Sequence, residues 1–92
     1  MKESPVEVAF YRQLGANIRK CRKRSKLSQA GLAKRIGLAR TSLTNIENGR
    51  QRPPLHTLYD IVENLQLDLA ELLPGRVARG TRLKGREQPA KL

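Results

Sequence analysis

Apolar positions along this chain recur at intervals of three and four within several short stretches, the spacing that gathers side chains on one face of an α-helix. Ser4-Pro5-Val6-Glu7 opens the first stretch. Ser4 suits the cap, Pro5 the first helical position, and Glu7 can reach back to complete a capping box. The pattern predicts a helix from Pro5 to Arg24 with Phe10, Leu14, Ile18 and Cys21 along one side. In the second stretch Ser28 is the cap, and Leu32, Ala33 and Ile36 share a face. Gly37 ends it in a left-handed conformation without a Cβ to clash. The third covers residues 40–48, where Leu43 and Ile46 make a narrower stripe before Gly49. A polar, proline-stiffened loop, RQRPP at 50–54, leads to a fourth helix marked by Leu55, Leu58, Ile61, Val62 and Leu65. Asp68 and Glu71 read as a further capping box, starting a short fifth helix that stops before Pro74 and Gly75.

The second and third helices lie within LSQAGLAKRIGLARTSLTNIENG at 27–49. Two helices so tightly joined match the size of a helix-turn-helix. Around the Leu43/Ile46 stripe sit Arg40, Thr41, Thr44 and Asn45, all able to hydrogen-bond and none needed for a core. A helix fits the major groove of B-DNA, where each base pair shows its own donor and acceptor pattern. Arg40 can bridge guanine O6 and N7, and Asn45 can pair with adenine N6 and N7. Thr41 and Thr44 can meet a thymine methyl or donate from their hydroxyls. Gln29 begins the second helix, where free N–H groups favour phosphate. Arg50 and Arg52 can reach phosphates or enter a narrow minor groove. Such contacts set position and affinity without choosing sequence.

Ser28-Gln29, Leu32-Ala33, Ile36-Gly37, Glu47, Gly49, Pro53 and Leu58 stand at a recognisable spacing. Over residues 18–73 the chain resembles the lambda-repressor-like, xenobiotic-response-element (XRE) family of helix-turn-helix domains. The resemblance implies an all-α, five-helix DNA-binding fold. It also implies that Arg40, Thr41, Thr44 and Asn45 occupy base-reading positions, and that Gln29 and Asn48 occupy backbone-gripping ones. In several members a basic residue late in the first helix pairs with an acid near the end of the recognition helix. Arg22 and Glu47 stand at the matching positions, which implies a partly buried ion pair. Three positions depart from the pattern. Ala39 replaces the usual hydroxyl cap, Gly31 the common acidic residue of a capping box, and Pro54 a frequent serine cap. Each departure weakens a helix start by ~1 kcal/mol.

Composition sharpens this picture through the distribution of charge. The 92 residues carry a net charge of +11. Residues 12–52 hold twelve Lys or Arg against Glu47 alone, whereas residues 53–75 hold four acids and no base. A basic half containing the helix-turn-helix, beside an acidic half, suits a surface facing a polyanion. The run RKCRKR at 19–24 also complements the dipole at the end of the first helix, and some of its bases can lie alongside phosphates. With three aromatic residues, a core must be built of aliphatic side chains. One domain over residues 1–74 is expected, followed by a basic tail at 75–92 whose low hydrophobicity and high charge predict disorder. That tail can also add DNA affinity or order against a protein partner.

The single cysteine excludes an internal disulfide and a cysteine-based zinc site, and Cys21 reads as a half-buried, inert thiol. No apolar run approaches the ~20 residues of a membrane span, and MKESPVEVAF lacks a secretory apolar stretch. Both absences favour a cytoplasmic protein, and the resemblance implies a nucleoid-associated one of prokaryotic or phage type. One recognition helix covers few base pairs, so a homodimer on a palindromic site is expected. The surplus of leucines at Leu69, Leu72 and Leu73 marks its interface, with Tyr59 or the fourth helix alongside. The function this supports is a sequence-specific transcriptional regulator acting as a repressor, without cofactors. Two other readings use the same surface: an antitoxin that also binds its own operator, and a bridging or RNA-associated protein that reads no sequence. An enzyme is disfavoured, since His56 has no second histidine or cysteine near it and no nucleophile–base set is present.

Overall fold

The computed structural model describes residues 4–75. These form four α-helices, α1 (Pro5–Arg24), α2 (Gln29–Arg35), α3 (Arg40–Glu47) and α4 (Leu55–Leu65), followed by a 3₁₀ turn at Leu69–Glu71. The expected fifth helix is therefore a single tight turn. Only three residues separate Asp68 from Leu72, and Leu72 must reach the core, where it is fully buried. The Glu71 carboxylate accepts from the Asp68 N–H at 3.0 Å, and Asn17 of α1 holds the Leu72 carbonyl at 2.9 Å. Of the tail expected at 75–92, all but Gly75 lies outside the described residues.

The core is aliphatic. Leu14, Ile18, Leu32, Leu43, Ile46, Ile61 and Leu72 are fully buried, and Cys21, Ala33, Leu58, Val62 and Leu65 fill between them. Cys21 lies deeper than a half-buried thiol, with the Arg24 guanidinium 3.6 Å from its Sγ. Phe10 does not join the α1 stripe; it is 38% exposed, and Tyr11, one position on, packs against the core instead. Phe10 stands edge-on against Tyr11, with ring centroids 5.1 Å apart. Leu55 likewise lies outside the core, at 72% exposed.

All four helices end in the same way. A residue just past each end takes a left-handed conformation: Lys26, Gly37, Gly49 and Gln66. The next N–H then returns to a carbonyl five residues back. Leu27 bonds to Arg22 O at 3.2 Å, Leu38 to Ala33 O at 2.9 Å, Arg50 to Asn45 O at 2.8 Å and Leu67 to Val62 O at 2.9 Å. This paired bonding satisfies carbonyls that a helix end would otherwise leave open. Leu27, Leu38 and Leu67 turn inward onto the core, which fixes where the chain leaves α1, α2 and α4. After α3 the equivalent residue is Arg50, and it is exposed.

Helix α1 crosses α3 at Gly15. A Cβ there would lie 2.3 Å from Ile46 O and 2.5 Å from Glu47 O, distances that backbone atoms cannot accommodate. A second close approach brings Gly49 against the backbone of Arg12. In an unconstrained helix interior, Gly→Ala stabilises by roughly 1 kcal/mol. Gly15→Ala is expected to do the opposite and destabilise by about 1–3 kcal/mol through overpacking. The measurement is the urea midpoint at constant m-value; an unchanged or raised midpoint would mean that α1 and α3 can part without cost.

Candidate nucleic-acid interface

A buried polar cluster sets the attitude of α3. The Arg22 Nε donates to Glu47 Oε2 at 2.8 Å and its Nη2 donates to Glu47 Oε1 at 3.0 Å. The two side chains are only 7% and 1% exposed. Arg22 Nη1 also donates to Leu27 O at 2.9 Å, so the guanidinium ties the α1–α2 connection to the end of α3. Gln29 extends the cluster. Its Nε2 donates to Glu47 Oε1 and its Oε1 accepts from the Thr44 hydroxyl, both at 2.9 Å. Charged groups taken out of water must be hydrogen-bonded on most sides to be tolerated, and this cluster meets that demand.

The first residues of α3 face outward. Arg40 and Thr41 are exposed, while Thr44 and Asn45 are half-buried beside them. Behind this edge Leu43 and Ile46 are fully buried, so the polar side chains stand on a packed support. Thr44 shares its hydroxyl proton between Gln29 Oε1 and Arg40 O at 3.0 Å. That leaves its methyl and lone pairs for a partner. The Asn45 carbonyl is occupied by the N–H groups of Arg50 and Gln51. The helix starts at Ala39, whose side chain offers no cap, whereas Ser28 caps α2 by accepting from the Gly31 N–H at 2.9 Å.

The positions read as backbone-gripping divide into two groups. Asn48 and Arg50 are exposed at the end of α3. Gln29 and Arg52 already have partners inside the protein. Gln29 spends one amide proton and its carbonyl on Glu47 and Thr44, which leaves its second amide proton and the first turn of α2 to an anion. Arg52 lies over the Tyr11 ring, 4.7 Å from its centroid, and donates to Glu7 Oε1 at 3.1 Å. Glu7 was expected to close a capping box at the start of α1. Ser4 does accept from the Glu7 N–H, but the Glu7 carboxylate is turned to Arg52.

Three features escaped the sequence reading. Gly15 gave a signal, because a glycine inside a long helical pattern usually has a packing reason. The Tyr11–Arg52–Glu7 contact joins residues 45 apart and had no local signature. The third is a shallow groove between α1 and the end of α3, lined by Arg12, Ala16, Arg19, Lys20, Lys23 and Asn48. Among the leucines expected at a dimer interface, Leu72 is withdrawn into the core at 0% exposure, whereas Leu69 remains 37% exposed and Leu73 half-buried. Among the described residues no helix is long and apolar enough to cross a membrane, and no group of potential metal ligands gathers.

A family model described as Helix-turn-helix, HTH_3, matches residues 18–72. Among curated relatives, the ImmF control region 10 kDa protein of Bacillus phage phi105 is 45% identical over 58 residues, covering 63% of this chain and 64% of that protein. The uncharacterized HTH-type transcriptional regulator YqaE of Bacillus subtilis is 39% identical over 59 residues, covering 64% of this chain and 51% of the relative. The chain therefore spans less than two thirds of either protein. Two solved structures align with a TM-score of 0.69 at 27% identity. One is the restriction-modification controller protein C.AhdI from Aeromonas hydrophila, with 72% of this chain and 96% of that one covered. The other is the hypothetical transcription factor NHTF from Neisseria, with 88% and 93% covered.

Glu47→Gln would leave the Arg22 charge buried without its counter-charge. A loss of about 3–5 kcal/mol in unfolding free energy is expected, as for other broken buried pairs, and chemical denaturation monitored by circular dichroism would measure it. A variant as stable as the parent would show that solvent reaches Arg22. Conversely, Ala39→Asp is expected to add ~1 kcal/mol by capping α3, visible as a higher melting temperature.

Proposed function

Because the chain belongs to the HTH_3 helix-turn-helix family, we propose that it is a sequence-specific DNA-binding transcriptional regulator that represses by occupying a palindromic operator as a dimer. The observation that carries this reading is the outward edge of α3. Arg40 and Thr41 stand exposed on a buried Leu43/Ile46 support, and no acid among the described residues pairs with Arg40. A probe held this way can enter the major groove without first breaking contacts of its own.

Roles follow from placement. Arg40 and Thr41 read base edges most directly, with Asn45 and the Thr44 methyl contributing from the flank. Asn48, Arg50 and the remaining donors of Gln29 hold phosphates and fix register. Arg52 joins them only by leaving Glu7 and Tyr11. Two-fold pairing would set two α3 helices ~34 Å apart on successive turns of one face. The apolar side chains left exposed on α4 and beyond it, Leu55, Tyr59 and Leu69, are the surface for that pairing. Repression is the reading favoured by the phage relative, whose name places it in an ImmF control region. Occupancy of an operator by so small a domain acts by excluding or displacing polymerase.

Selection of bound sites from a random DNA pool tests the proposal. A two-fold symmetric consensus is expected, and Arg40→Ala should relax one position of each half-site by about 1–3 kcal/mol of discrimination. With about eight phosphates held per dimer, log affinity should fall against log salt with a slope near −7. Equal affinity for selected and random duplexes at moderate salt would sink sequence-specific regulation.

A further inference from the structure

The bases of α1 are not spread evenly around the helix. Arg12, Arg19 and Lys23, with Ala16 between them, follow the seven- and four-residue spacing that aligns side chains along one side. Lys20 lies on the same flank, and Asn48 at the end of α3 closes the other wall of the groove they line. Arg12, Arg19, Lys20 and Lys23 are exposed and, among the described residues, make no ion pair. The α1 bases that do pair lie elsewhere around the helix: Arg22 toward Glu47, and Arg24 toward Glu71 at 3.8 Å. Glu47 borders the groove, but its carboxylate is turned inward with a side chain 1% exposed, so it does not neutralise the row.

We infer that this row, Arg12, Arg19, Lys20 and Lys23, is a second DNA-backbone contact that lengthens the footprint beyond the helix-turn-helix. This deepens the reading proposed above and rests on it. Four like charges held on one side of a helix repel one another, and neutralisation by a polyanion relieves that repulsion. From Arg12 to Lys23 the row rises about 16 Å along the helix at 1.5 Å per residue, long enough to follow more than one phosphate of a strand that advances about 3.4 Å per nucleotide along the duplex. Adjacency to Asn48 puts the row next to the exposed end of the recognition helix. Arg12 lies outside residues 18–72, the span of the family match. The approach of Gly49 to the Arg12 backbone holds this added half of α1 against the end of α3.

The experiment compares the salt dependence of binding to selected DNA for three proteins. These are the parent, Arg12→Gln/Arg19→Gln/Lys23→Gln, and a control with equal charge removed, Lys26→Gln/Lys34→Gln/Arg35→Gln. Circular dichroism first establishes that each folds. Loss of three phosphate contacts should make the slope of the row variant shallower by about 2.7 per bound chain, with the preferred site unchanged. The control should keep a slope close to the parent's. Ethylation interference should lose blocked phosphates in the row variant and not in the control. A row variant with the parent's slope and footprint, or two triple variants that lose slope equally, would overturn the inference while leaving the regulator intact. A parent whose binding ignores salt would overturn both readings.

Discussion

One buried ion pair governs how this small fold presents the outward edge of α3. Arg22 in the last turn of α1 and Glu47 at the end of α3 lie 25 residues apart in sequence, and their bidentate contact closes the connection between the two helices. Gln29 and Thr44 continue it to the start of α2 and the middle of α3. Hydrophobic contacts alone would let α3 rotate or slide over the leucine support, because apolar burial is non-directional. Fixed donors and acceptors permit far fewer arrangements. The pair therefore acts more on the angle of α3 than on net stability, since the cost of desolvating two charges offsets much of their attraction.

Much of the helical layout was legible in the residues. Periodic leucines and isoleucines, Ser4 and Ser28 as caps, and Gly37 as a stop mark helices whose ends agree with the structure within a residue or so. The outward placement of Arg40 and Thr41 was also readable, because no apolar stripe claims those positions. What the pattern missed depends on distance in space. Phe10 and Leu55 match the hydrophobic spacing but lie where α1 and α4 run past the core. The leucines at 69–73 looked alike in sequence, yet the 3₁₀ turn sends Leu72 inward and leaves Leu69 at the surface. Glu7 satisfied a local capping rule and was claimed by Arg52, 45 residues away.

The four helix ends show how one backbone device serves two purposes. After α1, α2 and α4 the residue following the left-handed turn is a leucine that anchors the chain inward. After α3 it is Arg50, directed to solvent by the same hydrogen-bond pattern. The turn thus delivers either an apolar plug or a charged contact, according to the side chain at that position. Lys26 and Gln66 adopt the left-handed conformation without being glycine, which carries a local cost of order 1 kcal/mol that the inward leucines offset.

The absence of a single carbon atom at Gly15 separates two properties of the protein. How far α3 stands out from its support is fixed by backbone touching backbone, a dimension that side-chain variation at the outer edge cannot alter. Arg40, Thr41 and Asn45 can therefore be exchanged for other residues without resetting that depth. Under the proposed base-reading role, target preference can drift while the mounting stays constant, which makes this chain a suitable chassis for grafting new outward edges onto α3.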